Sequence, residues 1–482
     1  MQAQHTNLQS PQLTRGLSAL VLDGVFSQAL GVLTGGALLT GCALACGASP
    51  SFIGILAAIP FFAQLAQIPA VALIETIRRR RAICVTVTIL ARLMLLPLVL
   101  VPLIPDPGLA RALLLGAFAV LTPLGAIGGC AWTSWTCDLV PRHRLGEIFG
   151  RRQFRANISG IAAGLLGGLI IDGWARLSPA WGGGGYVGVF ALAVGAAVMS
   201  TWYLTRMPDI AMPPRREGAI GKLFLKPFAD ANFRRVMGFL GAWNLAVNLA
   251  LPFFTVYVVK DLHCGITTAI ALGIVSQLAN IAALPFWGRA SDRCSNKTVI
   301  ACCAPIFLLC LFGWAAAGQP APHLLTLPIL FVLQVVLGAA TAGLDLAGGN
   351  IALKLAPRAD VTAYLGTNGV VKALCAGLAP VAGGFLADRL SGLSCSFVLP
   401  WGDLTKGGAV NVIQFQPWHI FFIAAGLLGC FALTRLRRIE EAGASDPAAL
   451  AALLRELLGE KRRAFAAWWR WLRAAAPIAE KA

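Results

Sequence analysis

The chain holds 482 residues, of which 57% are hydrophobic and only 12% charged, and its mean hydropathy is +0.74. A soluble domain carries about twice that charged fraction, so a surface built for water is excluded and the apolar excess must meet lipid. The net charge of +18 does not point to nucleic acid, because the cations sit in short segments between apolar runs rather than on one basic face.

Met1 to Thr14 is polar and runs straight into a full-length apolar segment, so no cleavable signal is expected. Apolar runs long enough to span a bilayer then recur at 17–41, 51–75, 82–104, 110–137, 154–173, 185–205, 236–259, 266–287, 298–318, 324–353, 364–387 and 417–436. Pro60, Pro69, Pro97, Pro123, Pro252 and Pro285 interrupt several of them, which a bundle tolerates because neighbouring groups satisfy the freed backbone atoms. The expected architecture is an all-α membrane protein.

The thirteen cysteines lie mostly inside these runs, as Cys84, Cys130, Cys310 and Cys430 do, and read as small hydrophobes. Cys42 and Cys46 stand one helical turn apart, a spacing open to a soft metal, but no Met or His accompanies them. No metal and no cofactor is expected.

Lys and Arg fix the orientation. One side of the spans holds Arg78 to Arg81, Arg142, Arg144, Arg151, Arg152, Arg155, Arg206, Arg215, Arg216, Lys222, Lys226, Arg234, Arg235, Arg289, Arg293, Lys297, Lys354 and Arg358. The other side holds Arg111, Arg176, Lys260, Arg389 and Lys406. The crowded side is expected to be cytoplasmic, with both termini there, in the inner membrane.

The stretch 206–235 is basic and Pro-containing, and reads as a linker. The chain therefore divides into a bundle over 1–205, the linker, a second bundle over 236–437, and a tail over 438–482. An internal repeat supports two related halves. Setting Leu139-Val-Pro-Arg142 over Leu355-Ala-Pro-Arg358, an offset of 216, brings Gly150 onto Gly366, Gly167-Gly168 onto Gly383-Gly384, and Asp172 onto Asp388 without a gap. The same offset sets Pro69 on Pro285 and Gln64 on Asn280. Two six-helix bundles related by an axis along the membrane normal fit this pattern.

The loop after the eighth run reads Gly288-Arg-Ala-Ser-Asp292-Arg293-Cys-Ser-Asn-Lys297. It resembles the G-x-x-x-D-R-x-x-x-K/R signature of the major facilitator superfamily. The equivalent first-half loop keeps the basic run Arg78 to Arg81 without the Gly and Asp. The resemblance implies that family's fold over roughly 15–437, and it assigns Asp292 and Arg293 to the loop that latches helices and sets the inward/outward balance. Asp138, at a helix end beside Arg142 and Arg144, is open to a second latch or to a surface ion pair.

Ionisable residues deep in a span are costly and so are candidates for function. Asp23, Arg92, Asp345 and Lys372 qualify. A buried carboxylate suits coupling to H+, and a cation suits an anionic solute; a structural pair or a snorkelling side chain is the plainer reading. Gln28, Asn244, Asn248, Gln277 and Asn280 add amides at helical spacing, fit either for a wet central cavity or for bonds between helices.

The tail opens with Ser445-Asp446-Pro447, a helix start. It then sets Leu450, Leu454, Leu457, Leu458, Phe465, Trp468 and Leu472 on one face, with Lys461, Arg462, Arg463, Arg470 and Arg473 supplying charge. An amphipathic helix on anionic lipids is expected. No Walker loop, nucleophile elbow or metal motif speaks for an enzyme. The expectation is a monomeric secondary transporter for a small molecule, working by alternating access. A carrier-fold assembly factor or sensor that binds a lipid or pigment stands as the alternative.

Overall fold

The computed structural model describes residues 10–441 apart from 142–143, 211, 213–224, 319–321, 358–359, 391–394, 402–407 and 416. Arg142, the middle of the linker and the expected tail helix lie outside the described residues.

Among the described residues, twelve helices are long and apolar enough to span a membrane: α1 (Pro11–Ala45), α2 (Pro50–Ile77), α3 (Arg80–Leu103), α4 (Pro107–Leu139), α5 (Leu145–Leu177), α6 (Gly184–Thr205), α7 (Ala231–Asp261), α8 (Ile266–Arg293), α9 (Asn296–Ala316), α10 (Thr326–Leu355), α11 (Ala363–Leu390) and α12 (Trp418–Leu436). An even number of spans returns the chain to the end where it starts, called here the terminal end. Local signals set the boundaries. Asp106 accepts from Gly108 N and Leu109 N at 3.2 and 2.8 Å to open α4, ahead of Pro107. Asp230 does the same for Asn232 N and Phe233 N, both at 3.0 Å, to open α7.

The 216-residue offset runs through the helix boundaries. Helices α1 and α7 end at Ala45 and Asp261, α2 and α8 run Pro50–Ile77 and Ile266–Arg293, α3 and α9 begin at Arg80 and Asn296, and α4 and α10 end at Leu139 and Leu355. The two halves are pseudo-symmetric six-helix bundles. The register breaks only after α11, where the described residues include an antiparallel hairpin of β1 (Cys395–Trp401) and β2 (Gly408–Phe415).

Aromatic side chains fill the second half: Phe253, Phe307, Trp314, Phe421 and Phe422 are essentially buried. Leu96, Leu100, Leu166, Leu169, Val332 and Leu427 are exposed on the outside, a surface that only lipid would cover at no cost.

Two helices are broken at matched positions. In α1 the helix stops at Leu33 and resumes at Gly36, whose φ of +52° suits glycine. The Thr34 N–H and hydroxyl both donate to Leu30 O, at 3.0 and 2.9 Å, and close the last turn before the break. In α7 the chain tightens into a 3-10 turn at Leu251–Phe253, and Gly35 falls on Leu251 at the same offset. Broken helices survive at membrane depth where they line a cavity.

Candidate functional site

The breaks in α1 and α7 border a cavity of about 640 Å³ between the halves. Its polar wall is made of amides and hydroxyls: Gln28 on α1, Gln153 and Asn157 on α5, Thr255 on α7, Gln277 on α8 and Gln334 on α10. Among the described residues, no Asp, Glu, Lys, Arg or His lines it. Its aromatic wall is Phe254 and Trp314, stacked with centroids 4.2 Å apart and planes within 6°. The buried Trp314 Nε1 has no hydrogen-bond partner. Such a wall gives several acceptors and donors at fixed places with a flat apolar face, the mixture that orients a polar uncharged ligand.

The cavity is closed at the end opposite the terminal end. There Asp172, on α5, accepts from the first two backbone N–H groups of α8: Ile266 N at 3.1 Å and Thr267 N at 3.0 Å. Asp388, on α11, accepts from Ser51 N of α2 at 3.1 Å. The offset carries Asp172 to Asp388 and Ser51 to Thr267, so these are two copies of one bond, each crossing from one half to the other. Each places a carboxylate at the positive end of a helix. Gly168 and Gly384, another matched pair, let the backbones approach. A Cβ would come 3.0 Å from Thr267 Cα at the first and 2.7 Å from Ser51 Cα at the second.

A second cavity, about 320 Å³, lies inside the first half on the other face of α1. Asp23, Ser27, Leu30 and Thr34 turn toward it, while Gln28, Gly31, Val32 and Gly35 turn toward the central one. Asp23 is only 4% exposed. Its Oδ1 accepts from Ser200 Oγ at 2.6 Å, and Ser200 Oγ in turn accepts from Arg92 Nη2 at 2.6 Å. Arg92 Nη1 donates to Ala197 O at 2.9 Å and to the Thr201 hydroxyl. A serine thus joins a buried acid to a buried base, which lowers the cost of keeping both in the membrane. At the offset positions the second half has no ions: Asp23, Ser27 and Arg92 fall on Phe239, Trp243 and Leu308.

The structure therefore brings Gln28 and Gln277 together in one cavity, and Asp23 and Arg92 in another. It does not bring the other candidates to either wall. Asn244 Nδ2 and Asn248 Nδ2 bond carbonyls of their own helix, at Leu240 O (2.8 Å) and Asn244 O (2.9 Å). Asn280 is half-buried outside both linings. Asp345 is exposed, with Lys372 within electrostatic reach. Sequence reasoning missed Gln153, Asn157 and Thr255: Gly160, Gly164 and Gly168 give α5 the small-residue spacing of a packing helix, and Thr255 follows Pro252 in a broken turn.

At the terminal end, Asp138 pairs with Arg80, and Arg144 turns elsewhere; Arg142 lies outside the described residues. Arg80, 3% exposed, donates to Asp138 Oδ2 at 2.6 Å and to Ser134 O at 2.7 Å. Arg144 pairs with Glu147 one turn on. In the second half the offset turns Arg80 into Asn296 and Asp138 into Lys354, and Glu441 bridges them. Its carboxylate accepts from Asn296 Nδ2 at 3.0 Å, Lys297 N at 2.8 Å and Lys354 Nζ at 3.0 Å. Burial alone would raise this carboxyl, but the bonds from Lys297, Lys354 and Asn296 outweigh it and hold Glu441 below its usual range. Asp292 is exposed, and no hydrogen bond or ion pair reaches it among the described residues; Arg293 is exposed beside it.

A family model described as Major Facilitator Superfamily matches residues 236–479. No curated protein matches the sequence. Among solved structures, the chain is similar to the nucleoside transporter NupG, with a TM-score of 0.64 and 11% identity over 89% of this chain and 98% of that one. It is similar to a bacterial homolog of the human lysosomal transporter Spinster, in an inward-facing and occupied conformation, with a TM-score of 0.62 and 14% identity over 90% and 98% of the two chains. The xylose transporter XylE from E. coli, in an inward open conformation, gives a TM-score of 0.60 and 13% identity over 91% and 99%. At these identities the likeness speaks for the fold.

Proposed function

The chain belongs to the major facilitator superfamily, and from that premise we propose that it is a secondary transporter of a small, uncharged, hydroxyl- or amide-bearing solute. One observation carries the reading: a cavity of about 640 Å³ between the halves, lined by amides, a hydroxyl and a stacked aromatic pair, with no ionisable side chain among the described residues of its wall. Burying a charged solute there would cost several kcal/mol without a partner, whereas a polar neutral solute finds donors and acceptors in place. The solute's flat face lies against Phe254, and its polar groups meet the amides of Gln277 and Gln334.

The halves rock about this site. The caps at Asp172 and Asp388 hold one end shut, as in an inward-facing state, and part when the chain turns outward. Asp292 and Arg293, with the Arg80–Asp138 pair, act at the other end. Asp23 is the coupling group: a proton on its carboxyl breaks the link through Ser200 to Arg92, and α1, broken at Thr34 to Gly36, carries the change to Gln28. The chain sits in the inner membrane with both ends in the cytoplasm, is divided at 206–235, works as a monomer and rests its tail on anionic lipid.

Purified protein in proteoliposomes tests the reading. A panel of sugars, polyols and nucleosides is expected to include a solute that accumulates against its gradient when a pH gradient is imposed. Accumulation only of organic ions, or a bound lipid or pigment with no flux of any solute, overturns it and favours the assembly factor or sensor.

A further inference from the structure

The 320 Å³ cavity inside the first half has a charge that its own residues do not balance. Arg92 spends its donors on Ala197 O, Ser200 and Thr201, and Asp23 is answered through Ser200. That leaves Arg152. Its guanidinium carbon stands 4.5 Å over the ring of Trp132, and it makes no hydrogen bond or ion pair among the described residues. With Asp23 ionised, two guanidinium groups face one carboxylate, so the cavity carries one positive charge in a setting where an unpaired charge is expensive.

The shape of the cavity is equally specific. Leu30, Leu95, Leu121 and Leu204 form an apolar wall. Along α4, Gly125 and Gly129 share the face of Leu121 and leave room beside it, and a Cβ at either would meet nothing within 4 Å. The volume is worth about ten water-sized units, near the lower limit for small-molecule sites. The face of Trp132 behind Arg152 keeps that cation flat and in place.

We propose that this cavity is a second binding site, taking a small monocarboxylate with an apolar body whose carboxylate pairs with Arg152. One negative charge restores neutrality, while a dicarboxylate brings one too many. The planar fork of Arg152 suits a bidentate carboxylate, which a lysine cannot reproduce. The site is separate from the central cavity and does not depend on the transport reading.

Isothermal titration of the full-length protein in detergent, with benzoate as the probe, tests this. Benzoate is expected to bind, with its neutral isostere benzamide and the dianion succinate each weaker by about tenfold or more. Arg152→Gln weakens benzoate by about tenfold, and Arg152→Lys does not restore it. Gly129→Leu fills the cavity without touching Arg152, grows into open space, and abolishes binding while the thermal midpoint stays near that of the parent. Gln277→Ala, in the central cavity, leaves benzoate affinity unchanged. The proposal falls if benzoate does not bind, if benzamide binds as well, if Arg152→Gln or Gly129→Leu binds like the parent, or if Gln277→Ala removes binding.

Discussion

Asp172 and Asp388 stand 216 positions apart, and each caps the first turn of a helix in the opposite half. A helix N-cap with a charge contributes about 1 kcal/mol, roughly fivefold in an equilibrium. Asp172→Ala or Asp388→Ala is expected to shift the balance between closed and open at this end by that factor. The double variant shifts it by roughly the product, because the two sites share no partner. Spin-label distances between the start of α2 and the end of α11 report it, and unchanged distances in the double variant would refute the proposed gate.

Gly168 and Gly384 give a steric version of the same experiment. Valine at either pushes against the backbone of Thr267 or Ser51, at a cost of about 1–3 kcal/mol in the closed state only. Both single variants should open this end and lower turnover, with the protein still folded. A maleimide accessibility assay near Ser51 reads the opening.

Asp23→Asn should abolish accumulation driven by a pH gradient yet leave exchange of the solute between the two sides intact. The amide keeps a bond to Ser200 but cannot gain or lose a proton. Loss of both activities would make Asp23 a structural residue.

The first-half pair at the terminal end predicts an unequal pair of variants. Asp138→Ala leaves Arg80, almost fully buried, without its carboxylate and should cost about 3 kcal/mol. Arg80→Ala leaves Asp138 with its side chain 40% exposed, so water takes over and the loss is smaller. Thermal midpoints of the two variants rank them, and equal losses would contradict the burial argument.

Glu441 sets a pH dependence. Its carboxyl is held below the ordinary value of 4.5, so its contribution to stability is complete above that value and fades as the pH falls through the lowered one. The difference in thermal midpoint between the parent and Glu441→Gln should be full at neutral pH and shrink in acid. A difference that grew in acid would reverse the sign.

The spans and the two-fold relation were legible because apolar length and the ungapped match from Leu139 to Asp172 are properties of the linear sequence. The match even paired Asp172 with Asp388, the two caps, but their partners Thr267 and Ser51 contribute backbone N–H groups that no residue type announces. Amides were legible as a class and not as a site: Gln28 and Gln277 face the cavity, whereas Asn244 and Asn248 turn back on their own helix, and one step of helical rotation decides which. Arg152 read as a loop cation because it follows Arg151, and only the folded chain sets it against Trp132. The partner of Asp138 was not legible, since the sequence shows only neighbours such as Arg144, while α3 brings Arg80 from 58 positions away.

Glu441 lies five positions past Leu436, the last residue of α12, yet its side chain is fully shielded from solvent. The second bundle thus ends later than its last helix. A protease cut or a truncation between Leu436 and Glu441 would spare every span and still strip Asn296, Lys297 and Lys354 of their shared acceptor. Purification tags and fluorescent fusions therefore belong after Glu441, and a chain trimmed at the hydrophobic boundary would behave as a damaged protein rather than a minimal one.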